Sequence, residues 1–198
     1  MLSVAASTVA DPPRNRLPRE LEVVINDISA DAPTHLFAVY SRPASRVVIH
    51  PAHALILAVH CTHLPPLPHS KPVTPTFAGG ALTLPVIPLC LHNQATFPIL
   101  MHYLYTKRRD CLLASLLPMP PHDVSQSLDQ LSRSMAATFP APTLLSHARK
   151  VHDLWCNIMA LGVFDERLWR AIEMAWEVIL GALATNTGAR WRSKHTQP

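Results

Sequence analysis

Apolar residues change their spacing along this chain, from short runs in the first half to long stripes of helical period in the second. Leu21, Val23, Val24, Ile25 and Ile28 mark an ordered segment over 19–28, where periodicity does not separate helix from strand. Leu36, Phe37, Val39 and Tyr40 predict a strand over 35–40, and Val47, Val48 and Ile49 predict another over 46–50. The turn residues 41–45 between them make this a hairpin. Pro51 is expected at the entrance of a short helix over 52–61, offering Ala54, Leu55, Leu57, Ala58 and Cys61 to the core. A proline-rich insertion over 64–83 reads as an extended surface loop. A third strand is expected over 84–91, where Pro85 and Pro88 confine it to an edge or force a bulge.

Phe97, Leu100, Met101 and Leu104 then fall at i, i+3, i+4 and i+7, the stripe of a one-faced helix. Pro98 fits only in its opening turn, so Thr96 is the expected N-cap. The helix ends in the basic triplet Lys107-Arg108-Arg109. A short helix follows over 111–117, then a proline-rich break over 118–124, an amphipathic helix over 125–138 and a second break over 139–142. Leu144, Ala148, Val151, Trp155, Ile158 and Leu161 mark a long helix, and Gly162 suits the left-handed position just past its end. Asp165 caps a last helix with Leu168, Ile172, Ala175, Trp176, Ile179 and Leu183 facing in, and Glu166, Arg170, Glu173 and Glu177 on its wet face.

Composition adds limits. The chain of 198 residues carries 20 prolines and only 5 glycines. Average usage predicts roughly half as many prolines, so the loops are stiff rather than floppy. Residues 1–18 and the basic tail 187–198 are expected to be disordered, with one domain over 19–186 between them. The net charge of +4 is mild and calls for no polyanionic partner. Cys61, Cys90, Cys111 and Cys156 are widely spaced, with no Cys-x-x-Cys pair. That spacing, with no export signal at the start, predicts free thiols in a reducing compartment. No apolar run is long enough to span a bilayer.

Candidate chemistry is sparse. His50, His53, His60, Cys61, His63 and His69 are the densest set of metal-ligand types, but they lack the tight paired spacing of zinc sites. No phosphate loop, dinucleotide fingerprint or nucleophile elbow is present, and the aspartates are scattered. No catalytic residue, metal or cofactor is therefore expected. Lys107, Arg108 and Arg109 offer a partner contact. Trp169 lies off the main stripe and is a candidate exposed anchor, whereas Trp155 and Trp176 lie on core faces. Arg190, Trp191, Arg192 and Lys194 mix cations with an aromatic, as single-strand binders do.

Two separated segments resemble one known fold. The run Val47 to Cys61 resembles the opening of a BTB/POZ domain, with His53, Leu57, Ala58 and Cys61 at its marked positions. Phe97, Leu100, Tyr103, Leu104 and Tyr105 resemble that fold's signature helix, which usually ends Tyr-Leu-Tyr-Thr-Gly; here Lys107 replaces the glycine. The acidic residue usual near the first strand is replaced by Thr34 or His35. The resemblance implies an α+β domain, a degenerate BTB/POZ-like arrangement with a small three-stranded sheet packed on a mainly helical layer.

More narrowly, 55–61, 103–108, Val151-His152-Asp153-Leu154-Trp155 and Gly162-Val163-Phe164-Asp165 look like the clampless-type proteins of mushroom-forming and related fungi. That resemblance implies a non-enzymatic protein–protein interaction module regulating sexual development: clamp-cell and dikaryon control downstream of mating-type factors. Its implied partners are proteins such as transcription factors or ubiquitin-ligase subunits, with a homodimer as a further expectation, and its implied location is the nucleus, the cytoplasm or both. The alternative is a nucleic-acid-binding transcriptional regulator using the basic tail. A metal- or thiol-dependent enzyme ranks below both.

Overall fold

In the computed structural model the described residues are 17–25, 31–42, 46–73, 76–120 and 127–188. The expectations for 1–16, for 26–28 including Ile28, for 43–45 of the turn, for 74–75 of the proline-rich insertion, for 121–126 and for 189–198 lie outside them. The chain order is β1 (Glu20–Ile25), β2 (His35–Ser41), β3 (Val48–Ala52), α1 (Ala54–His60), β4 (Gly80–Leu91), α2 (Phe97–Thr106), α3 (Arg109–Leu116), α4 (Leu128–Thr138), α5 (Ala141–Leu161) and α6 (Glu166–Thr187). The α+β class is as expected. The sheet has four strands rather than three, in the order β1-β4-β2-β3.

The added strand is β1, from the segment whose period is ambiguous. Its register runs from Glu20 opposite Pro85 to Ile25 opposite Gly80, antiparallel. β4 therefore begins four residues before the expected strand, within the proline-rich stretch, because Gly80, Leu82 and Leu84 alternate inward. Nor is β4 an edge strand. It pairs with β1 over Gly80–Pro85 and with β2, in parallel, over Val86–Leu91. Each half of β4 thus has one flank outside these two ladders. Pro88, opposite Ala38 in the β2 ladder, lies beyond the reach of β1.

The β2–β3 hairpin forms as expected, from His35 opposite Ala52 to Val39 opposite Val48. Pro51 lies inside β3 rather than at a helix entrance; β3 is an edge strand, where a missing N–H is tolerated. α1 starts at Ala54 instead, and its first turn is capped from a distance: Ala54 N–H donates to Thr34 Oγ1 at 2.8 Å. Thr34 thus supplies the side-chain acceptor that His53, at the N-cap position, does not. His35 Nε2 lies 2.9 Å from the Pro68 carbonyl and so ties the proline-rich stretch to β2.

Leu36 and Ala38 join Val23, Ile25, Val47, Leu82, Leu84 and Val86 in one buried cluster. Phe37 and Val39 are equally buried and alternate to the other face, so β2 is covered on both sides.

Among the described residues the chain divides into two units: 17–97 with 159–164, and 98–158 with 165–188. In the second unit α4 and α6 meet through small groups. Ser132 Oγ donates to the Val178 carbonyl at 3.1 Å, and a Cβ on Gly181 would come within 2.9 Å of that hydroxyl. α4 is opened by a reciprocal capping box between Ser127 and Gln130. The break expected over 139–142 is shorter, because Pro142 sits in the first turn of α5, where it costs no hydrogen bond. His147 Nδ1 lies 2.7 Å from the Leu116 carbonyl and Lys150 Nζ donates to Ser115 at 3.2 Å, so α5 closes the C-terminal end of α3. No helix among the described residues is long and apolar enough to cross a membrane.

Candidate functional site

Two features of the second unit concentrate chemistry. The first is where α2 ends. A short 3-10 turn, Gln94–Thr96, leads into this helix and is itself capped by Asn93, whose Oδ1 accepts the Ala95 N–H at 2.9 Å; the hydroxyl of Thr96, the expected cap, donates back to the Asn93 carbonyl at 3.2 Å. Leu100, Tyr103 and Leu104 are buried and Tyr105 is exposed. Lys107, just past the end, adopts φ 55°, the left-handed region in which glycine is favoured. Here a lysine adopts a conformation more usual for glycine.

Lys107 Nζ donates to Asp165 Oδ2 at 3.0 Å, and Tyr103 Oη donates to Asp165 Oδ1 at 3.2 Å. The same Oδ1 accepts the N–H groups of Arg167 and Leu168, at 3.0 and 3.1 Å, which makes Asp165 the cap of α6 as expected. Burial pushes the Asp165 carboxyl up. The hydrogen bonds from Lys107 and Leu168 and the lysine charge outweigh it, so the group titrates below its ordinary value. Burial, then the Asp165 charge, pushes the Tyr103 phenol up to about 12. A phenol held that firmly protonated is a structural donor, not an acid or base at neutral pH.

The triplet is divided in its contacts. Lys107 is committed to Asp165, Arg108 pairs with Asp110 at 2.5 Å, and Arg109 Nη2 lies 3.0 Å from Met174 Sδ.

The second feature is a groove of about 280 Å³ lined by Val151, His152 and Trp155 of α5 and Ile172, Glu173 and Trp176 of α6. Expected on core faces, Trp155 and Trp176 are instead 43% and 36% exposed. The buried face of α5 is carried by Leu154, Asn157 and Ile158, and that of α6 by Ala171, Ala175 and Val178; each tryptophan sits one position to the side. Trp169, the expected anchor, is half-buried. The ring centroids of His152 and Trp155 lie 6.1 Å apart, tilted by 30°. Cys156 Sγ is 3.7 Å from His152 Nε2, and burial, with the Asp153 charge, pushes its thiol up, so it is no activated nucleophile.

The remaining sequence candidates belong to packing. Leu57 and Cys61 are buried, whereas Ala58 and Leu55 face solvent, because a helix of 7 residues buries only the i, i+3, i+7 line from Ala54. The six metal-ligand candidates do not bring three ligand atoms together among the described residues. His50 lies 5.2 Å from the Phe97 ring, and burial lowers its pKa. Among the described residues Cys61, Cys90, Cys111 and Cys156 form no disulfide. Arg190, Trp191, Arg192 and Lys194 lie outside the described residues. Sequence reasoning missed the groove; Glu173, four residues from Trp169 and three from Trp176, was the available signal.

Comparison with known proteins agrees with the narrower resemblance. Residues 1–91 match the Clampless protein 1 N-terminal domain, and residues 110–198 match the Clampless protein 1 C-terminal domain. Relatives named Clampless protein 1, from the JEC21 and B-3501A strains of Cryptococcus neoformans var. neoformans serotype D, are each 32% identical over 107 residues. That match covers 53% of this chain and 21% of each relative, so the chain matches about a fifth of the relatives' length. No solved structure matches the chain. With both domains of one family matched in order along it, this chain belongs to the Clampless protein 1 family.

Proposed function

We propose that this chain is a non-catalytic protein-interaction module acting in fungal clamp formation and sexual development, within the mating-type pathway. The carrying observation is the α5–α6 groove, where two large aromatics of long, well-packed helices stay partly exposed beside an apolar floor. Tryptophan is enriched among residues that anchor interfaces. The Cys156 thiol, 3.7 Å from the groove-lining His152, is pushed away from its reactive form, which supports the non-enzymatic reading. The relatives' name supplies the developmental process. The BTB/POZ likeness enters on its two motifs, His53 with Leu57, Ala58 and Cys61, and the helix from Phe97. Proposed partners are transcription factors or ubiquitin-ligase subunits, or a second copy of the chain, in the nucleus, the cytoplasm or both.

The test is complementation in a fungus lacking the gene. A chain with Trp155→Ala and Trp176→Ala should accumulate normally yet fail to restore clamp cells. Full restoration by that variant would remove the groove from the function.

A further inference from the structure

The groove has a charge as well as a shape. Glu173 lines it and has neither an ion pair nor a hydrogen bond among the described residues. Arg170, three residues before it on α6, is paired with Glu166. The walls offer the indoles of Trp155 and Trp176 and, beside Trp155, the His152 ring, over an apolar floor of Val151 and Ile172. Aromatic faces with a single carboxylate at the rim bind an organic cation on an apolar stem. Ring quadrupoles attract the cation, the carboxylate pairs with it, and the floor takes the methylenes. An arginine fits best, since its planar guanidinium stacks on an indole while its fork reaches a carboxylate. A volume of about 280 Å³ suits one such side chain rather than a whole helix face.

We infer that this groove captures an arginine side chain presented by a partner protein, with Trp155 and Trp176 as the stacking walls and Glu173 as the counter-ion. The inference rests on the interaction-module reading above and names the chemistry of what is bound.

The test follows the indole N–H resonances of the full chain during titration with N-acetyl-arginine methylamide and, separately, its neutral isostere N-acetyl-citrulline methylamide. Saturable shifts of the Trp155 and Trp176 signals are expected at millimolar concentrations, with the arginine compound bound about tenfold more tightly than the citrulline one. Glu173→Gln, on a solvent-facing position, should leave the fold intact and bring the two affinities together. Equal binding of both compounds, or no shift up to tens of millimolar, overturns the inference. So does an undiminished preference in Glu173→Gln. If clamp cells still require Trp155 and Trp176 in any of those cases, the groove docks an uncharged partner surface; the interaction reading then stands and only the cation assignment falls.

Discussion

Two helix ends in this molecule make the same left-handed turn with different residues. After α5 the turn is Gly162, at φ 62°; after α2 it is Lys107, at φ 55°. The backbone demand is alike, but the surroundings differ. A Cβ on Gly162 would lie 2.1 Å from Thr62 Oγ1 and 2.9 Å from His63 Nδ1, and Thr62 also donates to the Gly162 carbonyl at 3.0 Å. At Lys107 the side chain projects to Asp165 and lies over the Tyr103 ring, 5.4 Å from its centroid. One glycine is there because nothing else fits. The lysine accepts a conformational cost of about 1–2 kcal/mol in return for an ion pair. A glycine signature in a motif can therefore mark either a packing need or only a dihedral preference, and the neighbours decide which.

The largest effect should come from Gly162→Ala. Strain and overlap together should cost about 3 kcal/mol in chemical denaturation, because the clashing hydroxyl is itself bonded to this turn. Adding Thr62→Ala should return part of it. A cost near 1 kcal/mol in the single variant would reduce Gly162 to a dihedral preference.

Asp165→Ala removes a helix cap, an ion-pair partner and the acceptor for Tyr103, and should cost about 2 kcal/mol. It should also let the Tyr103 phenol fall from about 12 toward the ordinary tyrosine value, read by ultraviolet titration.

Next comes the isolated backbone term. Gly188, at φ 68° after α6, has only open space within 4 Å of where a Cβ would stand, so Gly188→Ala should cost only about 1 kcal/mol. Lys107→Gly should lie within about 1 kcal/mol of neutral, relief of strain offsetting the lost pair, while Lys107→Ala keeps the strain and loses the pair. If the glycine variant is the less stable of the two, the strain assigned to Lys107 is wrong.

The smallest effect is in acid. The Asp165 carboxyl titrates lower folded than unfolded, so its contribution is present above the ordinary carboxylate value near pH 4 and lost as pH falls through the folded value. Asp165→Asn should flatten that limb of a stability-against-pH curve; an unchanged limb would assign it to other carboxylates.

Local chemistry makes much of this legible. The hairpin, the long helices, the Asp165 cap and the turn at Gly162 all follow from residues adjacent in sequence. What stays hidden depends on partners far along the chain. Pro51 reads as a helix start because its edge position is set by β2, and the start of β4 is masked by prolines that its offset pairing tolerates. The cap of α1 comes from Thr34, twenty residues earlier. Trp155 and Trp176 read as core because an apolar stripe looks the same whether its neighbour is another helix or solvent.

The two-part pairing of β4 also sets an order of events. β2 can pair with β3 while both are newly made, but Glu20 meets Pro85 and Leu36 meets Val86 only after the intervening chain has been synthesised. Until residue 91 has emerged from the ribosome, β2 and β3 stand as a hairpin and β1 has no strand to pair with. Sheet closure then depends on bridging about fifty residues or more, a slow, non-local step.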